Sequence, residues 1–346
     1  MAGCYPAPML RGELHTRVLE SDVLRGNPLG DPHIREVPVY LPPGCNDDTP
    51  LVAVLAGFTG VGAGALRGTP WDLSFPARYE QLLENGRAAP CAFLFPDAFT
   101  RFGGSQYMNS AATGRYEDYL LGEVFPDVEQ TFNVGGSADR RGLMGRSSGG
   151  FGALHVALRH PDRFRAIAAH SADCYFELAY KPDFPRMLAM LDQYGSVMEF
   201  LDAFEQAPKK TTPLILAINV LAMAAVYSPD DEEPLGIALP FEARTGRLRE
   251  NIWDRWLEHD PVEMASIHGA QLADYKLVYV DAGLRDEYHL QYGARQLVDM
   301  LRDSGVEVQH EEYDDGHMGT SYRYDRSIPL MSQALSLPVG SGSSPS

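Results

Sequence analysis

Two short, continuous apolar runs, residues 51–56 and 91–95, constrain this chain more than any other feature. A strand wetted on one face alternates apolar and polar residues. A strand apolar throughout is covered on both faces, as strands of parallel sheets are. Further strand-like stretches follow at 141–145, 164–170, 276–280 and 306–313. Helical periodicity occupies 78–84, 116–132, 149–159, 290–304 and 327–335. Asn85-Gly86 should stop the first of these helices, and Pro126 should bend the second. The alternation predicts an α/β architecture, with a mostly parallel central sheet and helices on both faces. Residues 13–24 and 33–41 alternate with period two and predict an opening antiparallel hairpin, 13–41.

Between residues 172 and 273 the character changes. This stretch is rich in Pro, Met and aromatics, with helical periodicity in places and no clear strand. About 100 residues inserted between two strands should lie as a large helical cap over the carboxyl edge of the sheet, where open α/β sheets place their ligands. The domain reading is a core of residues 1–171 and 274–338, a cap or lid insertion at 172–273, and a tail at 339–346. The Gly/Ser/Pro composition of that tail buries nothing and predicts disorder.

Composition removes several functions. Lys plus Arg number 29 against 47 Asp plus Glu, a net charge of −18. That field repels phosphate backbones and anionic lipid surfaces, so neither nucleic acid nor a membrane is expected as partner. The longest apolar stretch, 213–226, is interrupted by Asn219 and falls short of the roughly 18 residues that cross a bilayer. Residues 1–11 lack a basic start followed by an apolar run, so no secretory signal is read. Cys4, Cys45, Cys91 and Cys174 have neither metal spacing nor the number a disulfide framework needs. Reduced thiols and a cytoplasmic location are the expectation. No metal is implied, because neither H-e-x-x-H-type spacing nor a Cys/His quartet is present. A G-x-G-x-x-A at 60–65 follows a strand, but Glu80, at the spacing of a ribose-binding acid, falls in a helix, so no cofactor is expected. The oligomeric state stays open, a homodimer among the options.

The sharpest chemical signal is Gly145-Arg146-Ser147-Ser148-Gly149-Gly150, between the strand 141–145 and the helix 149–159. A serine on so tight a turn takes a strained backbone that lifts its hydroxyl off the sheet, and only small residues fit where strand and helix approach. The amide of Ser148 points into the same space. A serine hydroxyl needs a base to become a nucleophile, and in this fold type the chain order is serine, acid, histidine. His317, in the turn after the strand 306–313, fits the base. His310 lies inside that strand, His289 opens a helix, and His170 precedes every acid candidate and reads as a packing residue. After the strand 276–280, Asp281, Asp286 and Glu287 compete as acid. Asp281, at the strand's end, should cap local amides; Asp286 reaches further toward the His317 loop and is preferred, with Glu287 behind it. The acid would hold the imidazole tautomer and stabilise the imidazolium. A second oxyanion donor should come from the loop after residues 51–56, as the amide of Phe58 or Thr59.

Asp97, Asn109 and Asp173 fall near carboxyl ends of strands or in the loops beyond, and are candidates for binding substrate. In the cap, Phe176, Tyr180, Phe184, Trp253 and Trp256, with the apolar stretch 214–227, would line an acyl or aryl pocket or form the cap's own core. Trp253 is the substrate-binding candidate among them.

At these residues the chain resembles the putative-esterase family of α/β-hydrolases, which groups S-formylglutathione hydrolases, feruloyl esterase domains, enterochelin esterases and mycolyltransferases. The resemblance runs from Val37 to about Leu335. It rests on Leu55-Ala56-Gly57-Phe58, Tyr107-Met108-Asn109-Ser110, Gly114-Arg115-Tyr116-Glu117-Asp118-Tyr119, residues 145–154, His160-Pro161-Asp162-Arg163-Phe164, His170-Ser171, residues 283–287 and Gly316-His317. It implies an α/β-hydrolase fold with Ser147 as nucleophile, Asp286 as acid and His317 as base, and it places the second oxyanion amide at Phe58. It also implies a serine hydrolase that cleaves a small-molecule carboxylic ester through an acyl-enzyme. Two departures stand out. Ala56-Gly57 replaces the usual His-Gly, and the insertion is larger than in the simplest members, so substrate choice does not carry over. The competing readings are acyl transfer to a sugar or alcohol acceptor and a non-catalytic binding module on the same fold.

Overall fold

The computed structural model describes residues 10–336. Cys4 and the tail at 339–346 lie outside them. Among the described residues, eight strands form the main sheet: β1 (Glu13–Glu20), β2 (Ile34–Leu41), β3 (Leu51–Leu55), β4 (Ala92–Leu94), β5 (Arg141–Arg146), β6 (Ala166–His170), β7 (Leu277–Gly283) and β8 (Gln309–Tyr313). Their order is β1-β2-β4-β3-β5-β6-β7-β8. The hairpin β1–β2 is antiparallel, β2 runs antiparallel to β4, and every neighbouring pair from β4 to β8 is parallel. The parallel strands therefore end on one edge.

The apolar strands serve two cores by alternation. Val52, Val54, Met144, Ala168 and Tyr279 face one layer, covered by α1 (Phe75–Glu84) and the last helix, α10 (Tyr324–Ser336). Leu51, Ala53, Leu55, Leu143, Ile167, Ala169, Val278 and Val280 face the other. That layer is closed by α2 (Phe125–Phe132), α3 (Ser148–Arg159) and α9 (Leu290–Asp303). The edge strand β8 is instead half exposed and carries Glu311 and Glu312, which discourages pairing with another chain.

Pro126 acts one turn earlier than expected. Tyr116–Asp118 is α-helical, Tyr119–Val124 is a π-turn, and α2 begins with Pro126 at its second position. A proline has no N–H to donate to the preceding turn, and the wider turn absorbs the mismatch.

The insertion carries α4 (Phe184–Tyr194), α5 (Val197–Gln206), α6 (Thr212–Tyr227), α7 (Glu250–Leu257) and α8 (Pro261–His268). Its strand-like pairing is limited to isolated bridges, Pro229 with Ile237 and Phe241 with Leu248. Helices α4 to α7 share a second hydrophobic core around Phe176, Phe184, Trp253 and Trp256. The expected boundary at 273 needs correction. Val262, Met264, Ala265 and Leu272 belong to the main core with Leu297 and Leu301 of α9, so α8 is a helix of the sheet layer. Among the described residues, no helix is long and apolar enough to cross a membrane.

Candidate active site

Ser147 stands between the last residue of β5 and the first of α3, with φ 57° and ψ −128°. A non-glycine residue holds such angles only when its surroundings over-determine them. Two hydrogen bonds and two close backbone approaches do so here. The Ser147 N–H donates to the His170 carbonyl at 2.9 Å, and its own carbonyl accepts from Phe151 N at 2.9 Å. A side chain on Gly149 would collide with the Leu55 carbonyl, and one on Gly145 with the backbone of Gly149, so helix and strands close on the turn. The hydroxyl is thereby lifted off the sheet at the amino end of α3, where unpaired amides favour negative charge.

His317 and Asp286 come from neighbouring loops, after β8 and β7. His317 Nδ1 lies 2.8 Å from Asp286 Oδ2, and both residues are almost fully buried. The other carboxylate oxygen accepts from Tyr288 N at 2.9 Å, which fixes its orientation. With Nδ1 bound to the acid, Nε2 is the nitrogen left for proton transfer. Glu287, the fallback acid, does something else: its Oε2 accepts from the His317 backbone N–H at 2.7 Å. Arg146, inside the serine motif, reaches the same loop, donating to the His317 carbonyl at 3.2 Å and to Thr320 Oγ1 at 3.0 Å. The ring of Tyr288 meets the His317 imidazole edge to face at 4.8 Å.

The loop after β3 passes the elbow closely; a Cβ on Gly57 would stand 3.2 Å from the Arg146 carbonyl and 3.5 Å from Ser147 Cβ. Phe58 is held from behind. Gly104 N donates to its carbonyl at 2.8 Å, and its ring lies where a side chain on Gly103 would be. Tyr107 OH donates to the Ala56 carbonyl at 3.0 Å, so a tyrosine hydroxyl steadies this loop at Ala56-Gly57.

Ser147, Ser148, Phe58, Thr59 and His317 line one cavity of about 480 Å³. Its roof is a face of α6, since Thr212, Ile215, Leu216 and Asn219 recur at helical spacing. Asp173, Tyr180 and Asp183 complete a wall of mixed polarity. Burial pushes the Asp173 carboxyl above its ordinary range, although hydrogen bonds from Ser148, Tyr180 and Gln106 and the nearby His317 pull against it. Burial also raises Asp183, with Arg186 opposing.

Of the substrate-binding candidates, only Asp173 is brought to the elbow. Asp97 lies outside the cavity lining, accepting from Phe99 N at 3.1 Å and pairing with Arg35 at 3.4 Å. Asn109 is exposed and accepts from Asp118 N at 3.1 Å. Trp253 is buried in the cap core, donating to Glu177 at 2.9 Å, with the Lys181 ammonium 4.5 Å over its ring. Phe176, Phe184 and Trp256 pack with it, and only Tyr180 among the singled-out cap aromatics reaches the cavity.

Asp281 also departs from expectation, because among the described residues its side chain caps no amide. Its side chain accepts from His170, Tyr279 and Arg323, each at 2.9 Å. Burial alone would raise its pKa, but His170 and Arg323 outweigh burial and hold it below the usual range. His170 Nε2 in turn lies 2.7 Å from Ser327 Oγ. Ser327, His170 and Asp281 thus repeat a serine–histidine–acid chain inside the core, with no exposed surface at Ser327.

Solved structures share this fold. A ferulic acid esterase structure superposes with a TM-score of 0.60 at 19% identity, covering 94% of this chain and 100% of that one. An S-formylglutathione hydrolase from Agrobacterium tumefaciens gives 0.58 at 14% identity, over 94% and 97% of the two chains. FphF, a fluorophosphonate-binding serine hydrolase from Staphylococcus aureus, gives 0.57 at 17% identity, over 94% and 99%. These likenesses concern the fold. YbbA, an uncharacterized Bacillus subtilis protein, is 30% identical over 100 residues, a match spanning 29% of this chain and 37% of that relative. The model of the family described as Putative esterase matches residues 32–326, so the chain belongs to that esterase family and is an ester-hydrolysing enzyme of the α/β-hydrolase fold.

Proposed function

We propose that this protein cleaves a small-molecule carboxylic ester through a covalent acyl-enzyme on Ser147. The observation that carries the reading is that the strained Ser147 and the Asp286–His317 pair open into one cavity. Asp286 keeps the proton of the imidazole on Nδ1, so Nε2 is the base. The Ser147 hydroxyl gives its proton to Nε2, and Oγ bonds to the ester carbonyl carbon. Charge on the carbonyl oxygen is met by the amides of Ser148 and Phe58, one from the helix start and one from the loop after β3. The imidazolium then protonates the departing alkoxide as the bond to the alcohol breaks. A water molecule gives a proton to His317 and attacks the acyl carbon, which releases the acid and restores the serine.

The roles divide by location. Arg146 and Glu287 hold the backbone of the His317 loop, while Tyr107 and Gly104 hold the Phe58 loop. The test is hydrolysis of a short-chain aryl ester by Ser147→Ala. The expected result is a fall in kcat/KM of at least about 1000-fold with the fold retained. Hydrolysis at the wild-type rate would contradict the assignment.

A further inference from the structure

Asp173, three residues past β6, is a buried carboxylate in direct contact with the nucleophile's hydroxyl. Its two oxygens are treated differently. Oδ2 accepts from Ser148 Oγ at 2.9 Å, Tyr180 OH at 2.9 Å and Gln106 Nε2 at 3.2 Å. Gln106 is delivered there by a backbone with φ 53°, a conformation side chains rarely take. Oδ1 accepts from Ser147 Oγ alone among the described residues, at 3.3 Å. Asp173 is 6% exposed and faces the cavity.

This arrangement has a chemical consequence once Ser147 acts. Its hydroxyl proton must go to His317, and its oxygen then bonds to carbon. Oδ1 loses its donor at that moment, while the three donors on Oδ2 keep the carboxylate from turning away. A buried carboxylate oxygen left without a donor is costly, so a substrate group that supplies one is favoured. The oxygen sits within one hydrogen bond of Ser147 Oγ, so that group must lie close to the scissile carbonyl.

We propose that Asp173 Oδ1 selects esters bearing a hydroxyl group on the carbon beside the ester carbonyl or on the second carbon of the alcohol, the hydroxyl donating to the oxygen that Ser147 vacates. This rests on the reading of Ser147 as nucleophile. The hydroxyl belongs either to the acyl group or to the alcohol, and the chemistry at Asp173 is the same for both.

The experiment uses two matched pairs of esters and a pH-stat. Ethyl hydroxyacetate against ethyl methoxyacetate places the hydroxyl on the acyl side. 2-Hydroxyethyl acetate against 2-methoxyethyl acetate places it on the alcohol side. In the wild type, kcat/KM should favour the hydroxyl member of at least one pair by about tenfold or more, the scale of one hydrogen bond to a charged acceptor. In Asp173→Asn the preference should fall below about threefold. The three donors at Oδ2 select the amide oxygen, and the amide NH2 then faces Ser147 as a donor. Asp173→Ser, which removes the carboxylate, should lose the preference equally and serves if the asparagine variant does not fold. Ser147-dependent hydrolysis without a hydroxyl preference in either pair would overturn the proposal and leave the esterase reading standing. So would a preference that survives both substitutions. Absence of Ser147-dependent hydrolysis of all four esters would overturn both.

Discussion

His170 Nδ1 lies 2.9 Å from Asp281 Oδ1, nearly the separation that joins His317 to Asp286, yet the two pairs face opposite fates. One opens with Ser147 into a cavity, and the other is sealed with Ser327 between β6, β7 and α10. What separates them is access, together with a serine held on a strained turn.

Exchanging the buried acid should therefore affect stability. Asp281→Asn leaves Arg323 with a weakened partner and removes the charge that His170 and Tyr279 contact. Breaking a buried pair in this way costs about 3–5 kcal/mol. Thermal unfolding should show a lowered Tm, while kcat per folded molecule stays within a few-fold of wild type. A large fall in kcat at unchanged Tm would contradict this account.

The same exchange in the pair that opens into the cavity should do the reverse. Asp286→Asn keeps the shape but no longer fixes the proton on His317 Nδ1. The expected loss in kcat is about 1000- to 10,000-fold, with a modest change in Tm. Steady-state kinetics alongside a thermal scan separates the two variants.

Much of this site was legible in the chain before its structure. The apolar runs at β3 and β4 and the glycines around Ser147 reflect local requirements, because burial on two faces and close helix approach restrict residue types directly. Chain order, once the elbow is placed, directs the search for acid and histidine to the loops after the last two strands, and it leaves Asp281, Asp286 and Glu287 competing as the acid. The contact between Ser147 and Asp173 was not legible, since it depends on how the ends of β5 and β6 meet in space. The cap boundary was missed for a similar reason. Val262, Met264 and Ala265 show that α8 buries a face, and periodicity does not say against which layer. Trp253 looked like a pocket residue because a large aromatic carries the same signal in a cap core as in a cavity wall.

Arg146 offers a test of positioning without chemistry. It touches the His317 loop through the His317 carbonyl and Thr320. Arg146→Ala should lower kcat by about 10- to 100-fold, the scale of a small misplacement of a catalytic group. KM should change less than kcat, and Tm by only a few degrees. Wild-type kcat in this variant would remove Arg146 from the account.

Two histidines make stability depend on pH. His155 is buried with neither ring nitrogen hydrogen-bonded, and burial, aided by His259, Arg159 and His160, lowers its pKa well below the ordinary value. It is therefore neutral, and the 3.9 Å approach to Glu117 is no ion pair. His259, stacked on Tyr227, is lowered to about 4 by burial and by Arg159 and Arg255, with Glu117 opposing. Both rings gain a proton on unfolding below the pH at which a free histidine titrates, near 6.5. Their contribution to stability is present above that pH and is lost as pH falls toward 4. Asp260, which burial pushes up to about 6 against its three backbone hydrogen bonds, works in the opposite direction over part of that range. The difference between wild type and His259→Phe isolates the histidine. The Tm of the variant relative to wild type should rise steadily from pH 7 to pH 4.5. A constant difference would contradict the neutral assignment.

The central claim is covalent chemistry at one hydroxyl, and labelling tests it most directly. A fluorophosphonate probe incubated with the folded protein should add once per chain, and peptide mass spectrometry should place the adduct on Ser147. Ser147→Ala should take up no label, and Ser327, though it shares a histidine and an acid, should stay unmodified in both proteins. A folded wild-type sample that never labels, or an adduct found at Ser327 or elsewhere instead, would contradict the account.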